Sequence, residues 1–171
     1  RFRRVLESHA WERAALDASL EHANASASAG PVIAPLCPAV VSLVQARFPS
    51  LLPTVAPFLT PLEAIWNRMG GERLVVAVAC PAQQNELKAV GGEAVTTIGL
   101  RGLRRALFEK MRSVPRTGPQ VAPSPGPEPP SPGVLRATGI RSVVQALDEA
   151  EDGLLRDFAV LELWACEEGC F

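Results

Sequence analysis

Three short apolar runs of this chain each end at a cysteine. The runs and their cysteines are 31–36 with Cys37, 73–79 with Cys80, and 158–165 with Cys166. Apolar runs of this length, separated by helical patterns, predict buried strands of an α/β fold with a largely parallel sheet. Ligands gather at the carboxyl ends of such strands. The three thiols are therefore expected to meet at one edge of the sheet.

Helical patterns lie between these runs. Thr60-Pro61-Leu62-Glu63 is a strong helix start, because a threonine cap, a first-turn proline and a glutamate at the third position occur together. Thr138 is expected to cap the last helix, and Glu21–Gly30 to form a loop. Residues 73–79 are the clearest candidate for a buried strand, and 94–100 are a further apolar run. The predicted helices cover residues 2–22, 38–48, 61–70, 101–111 and 139–151.

Length and composition indicate a single domain. The chain has 171 residues, 47% of them hydrophobic and 20% charged, with a net charge of −1. This charge gives no electrostatic reason to expect binding to nucleic acid or an anionic membrane.

Residues 115–133 contain eight of the sixteen prolines and are expected to form a flexible insertion. The first residue is Arg1, so we expect the domain 1–171 to be a fragment of a longer chain. No run is long enough to span a membrane, and we expect a soluble, cytoplasmic protein.

The four cysteines are the strongest candidates for a chemical site. Cys37 and Cys80 each precede a proline, which places each thiol near a helix N-cap, where amide N–H groups and the helix dipole favour a thiolate. Cys166 and Cys170 enclose a glycine at 169 that permits a tight wrap of the backbone. Four thiols suit an iron–sulfur cluster, a structural zinc ion, or an unliganded core. On these grounds alone the three alternatives stay open.

Other polar residues are weaker candidates. His9 and His22 are interpreted as surface or partly buried residues rather than metal ligands. The basic residues of 101–112 are interpreted as a solvated helix face. Glu167 and Glu168 offer no indication of acid–base catalysis. The sequence contains no glycine-rich phosphate loop and no serine–histidine constellation.

Three segments containing the cysteines resemble the signatures of the C-terminal domain found in the large chain of the iron-only ([FeFe]) hydrogenases. Residues 36–53 resemble its first signature, a cysteine–proline followed by a helix. Residues 79–86 resemble the second, in which a lysine and a glutamate follow the cysteine, and residues 162–170 resemble the third, Glu-x-x-x-Cys-x-x-Gly-Cys. The segments occur in the family's order. The chain is most similar to the non-hydrogenase, cluster-binding relatives of these enzymes.

The resemblance implies a [4Fe-4S] cluster held between two α/β lobes by Cys37, Cys80, Cys166 and Cys170. Leu36 stands where the family has a proton-relay cysteine, and Gln83 stands where it has the lysine that holds the diiron subsite. The resemblance therefore favours electron transfer or redox sensing without catalysis, with a ferredoxin-like or sensory module as partner, possibly on the same longer chain. A catalytic hydrogenase, or a zinc-stabilised interaction domain, is the alternative.

Overall fold

Six helices and five strands alternate along the part of the chain that the computed structural model describes, which is residues 6, 8–26, 30–78, 80–112 and 131–167. The helices are α1 (His9–Ala25), α2 (Pro38–Arg47), α3 (Pro61–Met69), α4 (Pro81–Gly91), α5 (Leu100–Met111) and α6 (Ile140–Glu151). The strands are β1 (Val32–Ile33), β2 (Leu74–Val78), β3 (Val95–Gly99), β4 (Val134–Thr138) and β5 (Val160–Trp164). The predicted α/β class is confirmed. None of the described helices is both long and apolar enough to cross a membrane.

The described strands form two separate parallel sheets rather than one. The first has the order β1-β5-β4, with Val32 and Val134 both opposite Val160. The second pairs β2 with β3, and Val78 lies opposite Gly99 at its carboxyl end. Each pair of neighbouring parallel strands is connected through at least one helix, as parallel pairing requires. The expectation of a mainly parallel arrangement is confirmed, but it is divided between two sheets.

The first lobe, which we define as α1, β1, α2, β4, α6 and β5, contains most of the hydrophobic core. All five residues of β5 are buried, because helices cover both faces of this central strand. Val143 and Leu147 of α6 are fully buried against it, as their helical spacing predicts. The burial of each such side chain contributes about 1.5–3 kcal/mol.

One charged residue lies inside the first lobe. Glu162 of β5 is buried, and its carboxylate accepts hydrogen bonds from Arg136 Nε of β4 at 2.8 Å and from Trp164 Nε1 at 3.0 Å. Both carboxylate oxygens are therefore paired, as a buried charge requires. Burial raises the pKa of Glu12 on α1, and the negative charge of Glu162 raises it further, against the opposing effects of Ser8 and His9. The hydrogen bond between Arg136 and Glu162 thus links β4 to β5.

The second lobe, α3, β2, α4, β3 and α5, has a small core of its own. Its buried cluster consists of four residues, Leu62, Val78, Leu87 and Val95, with Trp66, Leu74 and Val76 packed beside them. The strand predicted within residues 73–79 is confirmed as β2, but its predicted burial is wrong, since Val75 is 43% exposed and only Val78 of β2 is buried. Two strands leave much of one sheet face uncovered, so the continuous apolar run does not imply burial on both faces.

The start of the second lobe follows the predicted capping signal. The Thr60 side chain accepts from the Glu63 N–H at 3.3 Å, and the Glu63 carboxylate accepts from the Thr60 N–H at 2.9 Å. Gly70 ends α3 in the left-handed conformation, at φ 61°. The two lobes meet through α1 with α3 and through α2 with α4. The two helices that Cys37 and Cys80 precede, α2 and α4, are thus in contact across the lobes.

Several predicted boundaries need correction. The first helix continues to Ala25, so residues 21–25 of the predicted loop are helical. Thr138 does not cap α6 but ends β4, a strand that the sequence pattern did not indicate, and Gly139 is the N-cap. The helical spacing of α6 predicts that Ile140 points inward with Val143 and Leu147, but Ile140 is 52% exposed. The helix predicted from residue 2 begins only at His9, since Leu6 and Ser8 are not helical. Residues 2–5 and the proline-rich stretch up to residue 130 lie outside the described residues.

Candidate metal centre

Cys37 lies between β1 and α2. It is the N-cap of α2 with extended backbone angles (φ −111°, ψ 114°), and Pro38 occupies the first helical turn. The thiol makes no capping hydrogen bond and the residue is buried. First-turn amide N–H groups have no partner within a helix and therefore favour an anion at this position. The predicted N-cap placement of Cys37 is confirmed.

Cys80 occupies the equivalent position in the second lobe. It follows β2 and is the N-cap of α4 (φ −137°, ψ 161°), again with proline at the first turn and no side-chain capping bond. The residue is half-buried. The sequence indicated this helix only weakly, because residues 83–88 are polar, but α4 runs the full length from Pro81 to Gly91. Two helix N-termini from different lobes thus each present a thiol.

Cys166 follows β5 in the first lobe and is exposed. The Gly139 N–H holds the backbone here, since it donates to Trp164 O at 3.0 Å and to Cys166 O at 3.1 Å. Gly139 has φ 83°, and a Cβ at this position would lie 3.2 Å from Glu167 Cγ. Only glycine adopts this conformation readily. Gly139 is a positioning residue that sequence reasoning missed, and the Thr-Gly pair at 138–139 was the available signal.

The Cys166 thiol is affected electrostatically by the other two described cysteines. Partial burial is the main cause that raises the pKa of the Cys166 thiol, and negative charge on Cys80 and then on Cys37 raises it further. Like charges that act on one another in this way would be stabilised by a cation placed between them. All three cysteines are free of disulfide bonds. Cys170, the fourth predicted ligand, lies outside the described residues.

The separation that a metal centre requires between its sulfur ligands differs between zinc and an iron–sulfur cluster. Among the described residues, no three His, Cys, Asp or Glu side chains are grouped so that they could hold a metal ion. A tetrahedral zinc ion with Zn–S bonds of about 2.3 Å needs sulfur atoms about 3.8 Å apart. A [4Fe-4S] cluster binds each thiolate through a different iron atom, so its ligands lie further apart. The amide N–H groups at the two helix N-termini suit the negative charge of a cluster bound by thiolates.

The structure also places three other residues that the sequence analysis discussed, His22, Leu36 and Gln83. The His22 ring contacts Phe58 edge-on, with ring centroids 5.7 Å apart, which agrees with its interpretation as a partly buried residue. Leu36 is buried immediately before Cys37, so an apolar side chain occupies the position next to this thiol. Gln83 lies in the first turn of α4, three residues after Cys80.

Comparisons with known proteins identify no relative. No family model, no curated protein and no solved structure matches this chain.

Proposed function

We propose that this domain binds a [4Fe-4S] cluster through Cys37, Cys80, Cys166 and Cys170 and serves in electron transfer or redox sensing. The observation that carries the proposal is that Cys37, Cys80 and Cys166 follow strands β1, β2 and β5 of two lobes, and that the helices capped by Cys37 and Cys80, α2 and α4, pack against each other. The resemblance to the iron-only hydrogenase domain supports the same ligands and a hydrogenase-like arrangement of two lobes. A compartment that keeps thiols reduced, such as the cytoplasm, would leave them available.

The residues present would hold such a cluster in distinct ways. Cys37 and Cys80 would act as thiolates at the N-termini of α2 and α4, where the helix dipoles stabilise negative charge. Cys166 would supply a third ligand at the surface, with Gly139 fixing the backbone beside it. When bound, a [4Fe-4S] cluster supplies reversible one-electron chemistry. Buried Leu36 would limit access of water beside the Cys37 thiol.

Catalysis of hydrogen turnover is not part of the proposal. Leu36 cannot relay protons, and Gln83 lacks the positive charge of the lysine that the hydrogenase signature contains. The partner would be a ferredoxin-like or sensory module, either separate or elsewhere on a longer chain. Gas evolution after diiron maturation, with infrared bands from carbonyl and cyanide ligands, would instead establish a hydrogenase.

Iron and sulfide analysis tests the proposal. Anaerobically reconstituted protein is expected to contain about four iron and four sulfide per chain and to give an EPR signal on reduction. Cys166→Ser should lose most of this iron, and because Cys166 is exposed the variant should still fold. Ala165→Ser is the matched control, since it adds a hydroxyl beside the site without removing a thiol, and should keep the cluster.

Three results would refute the cluster. They are wild-type protein without iron or sulfide after reconstitution, stoichiometric zinc in its place, and unchanged iron content in Cys166→Ser. Stoichiometric zinc would establish the zinc-stabilised interaction domain.

A further inference from the structure

Helix α5 presents a basic stripe that includes an aromatic residue. Positions i, i+3, i+4, i+7 and i+11 lie on one helix face. In α5 and the residue after it these positions are Arg101, Arg104, Arg105, Phe108 and Arg112, which we call the Arg-Phe stripe. All five residues are exposed, and Phe108 has 65% of its surface accessible. The stripe is about 17 Å long, from the helical rise per residue.

Helix α5 packs only lightly against the second lobe. A Cβ added to Gly102 would lie 3.4 Å from Ile98 Cγ2 of β3, so the helix approaches the sheet there. Leu103 beside it is half-buried, and it is the one described side chain of α5 that is not exposed. The stripe is therefore open to solvent, and Leu107 beside Phe108 is 50% accessible. The position of Phe108 among arginines is not a by-product of core packing.

The stripe begins at the sheet edge that carries Cys80. Gly99 at the end of β3 pairs with Val78 at the end of β2, and the chains continue directly into α5 and Cys80 respectively. Since the strands are parallel, both segments leave the same edge. The Arg101 end of the stripe thus lies at the end of the sheet that leads to Cys80.

We propose that the Arg-Phe stripe docks an acidic electron-carrier protein. This inference rests on the proposed function. The stripe carries four positive charges on a chain whose net charge is −1, so it complements an acidic surface locally. Arginine and aromatic residues are enriched in protein–protein interfaces. On docking, one electron would pass from the reduced carrier to the oxidised cluster, with no bond made and no proton moved.

A protein partner fits the stripe better than a membrane or a nucleic acid. Helices that lie on membranes separate their apolar face from their basic face, whereas here Phe108 lies within the row of arginines. Binding to nucleic acid is typical of domains with a strongly basic overall charge, and the sequence pI here is about 6.2.

Affinity measurements with a small acidic [2Fe-2S] ferredoxin test the inference. Arg104→Glu should weaken ferredoxin binding about tenfold or more at about 50 mM ionic strength, and should reduce its salt dependence. Phe108→Ala should weaken binding about tenfold and leave the salt dependence unchanged. Arg141→Glu on α6 changes the net charge by the same amount at another exposed site, and should stay within about twofold of wild type. The rate of cluster reduction by the ferredoxin should fall in parallel with affinity.

The outcomes separate this inference from the proposed function. If the protein binds its cluster but Arg104→Glu and Arg141→Glu bind ferredoxin with equal affinity, the proposed docking surface is wrong and the proposed cluster is unaffected. Wild-type protein that takes up no iron overturns both. Stripe-dependent binding to phosphatidylserine vesicles or to a single-stranded oligonucleotide, without binding to ferredoxin, overturns the protein partner. A dimer that Phe108→Ala dissociates would assign the stripe to a second copy of this chain and likewise overturns it.

Discussion

The two lobes share a parallel β-helix-β plan but differ in how completely they are packed. In the first lobe β5 is central, and its five residues are all buried. In the second lobe both strands are edge strands, and β2 buries only Val78. Free energy of burial scales with the apolar area removed from water, so the first lobe should account for most of the stability. The second lobe, which carries Cys80 and the Arg-Phe stripe, is better suited to partner-dependent changes.

The largest difference in stability between the lobes is expected when one buried leucine in each lobe is replaced by alanine. Leu161 of β5 and Leu87 of α4 are both fully buried. Leu161→Ala should lower the free energy of global unfolding by about 3 kcal/mol, because it leaves a cavity in the main core. Leu87→Ala should mainly accelerate amide exchange in β2 and β3, with little change in β5. Urea denaturation and hydrogen exchange measure the two effects. Equal loss of protection in β5 from both variants would show that the lobes unfold as one unit.

Removal of one ion pair from each lobe gives the next contrast. Glu162→Gln should destabilise the first lobe by about 2 kcal/mol, because an NH2 group replaces one of the two buried oxygens that accept hydrogen bonds from Arg136 and Trp164. Glu109→Gln removes the Arg105–Glu109 pair of the second lobe, whose side chains are 83% and 69% exposed, and should cost less than about 0.5 kcal/mol. Urea denaturation at neutral pH measures both. Similar losses from the two variants would contradict the assigned difference in burial.

The sequence predicted the cysteine positions better than the sheets. A Cys-Pro pair specifies an N-cap locally, so Cys37 and Cys80 are where the pattern placed them. Whether strands join one sheet or two depends on pairing between distant segments, which no local pattern encodes. The apolar run of β2 suggested full burial, but burial depends on how many layers cover the strand.

The missed strand β4 has a local cause. Its sequence, Val134–Thr138, contains an arginine at its centre and follows the proline-rich stretch, so it resembled a connection. Arg136 is accommodated because Glu162 on the neighbouring strand accepts its hydrogen bond. The hydrogen bond to Glu162, 26 residues away in the sequence, therefore allows an arginine at the centre of this strand. Only the Thr-Gly pair at the end of β4 indicated the turn that positions Cys166.

The smallest predicted effect concerns a carboxylate in the second lobe. Burial is the main cause that raises the pKa of Glu86 on α4 above its usual 4.5; the charge of Glu63 adds to this, and a hydrogen bond with Thr60 opposes it. Among the described residues, Glu86 Oε2 is the buried side-chain oxygen that lacks a hydrogen-bond partner. Because the folded state retains this proton to higher pH than the unfolded state, the free energy of unfolding should fall as pH rises above about 4.5.

Glu86→Gln should therefore stabilise the second lobe at pH 7 by about 1 kcal/mol and have little effect at pH 4, because the neutral amide avoids the cost of burying a charge. Urea denaturation from pH 4 to pH 7, with amide exchange of β2 and β3, measures the change. Glu93→Gln removes the same charge from an exposed position of the same lobe and should shift neither quantity. Equal behaviour of the two variants would mean that the Glu86 carboxylate does not weaken this lobe. In that case its lower stability would have to come from the thin core alone.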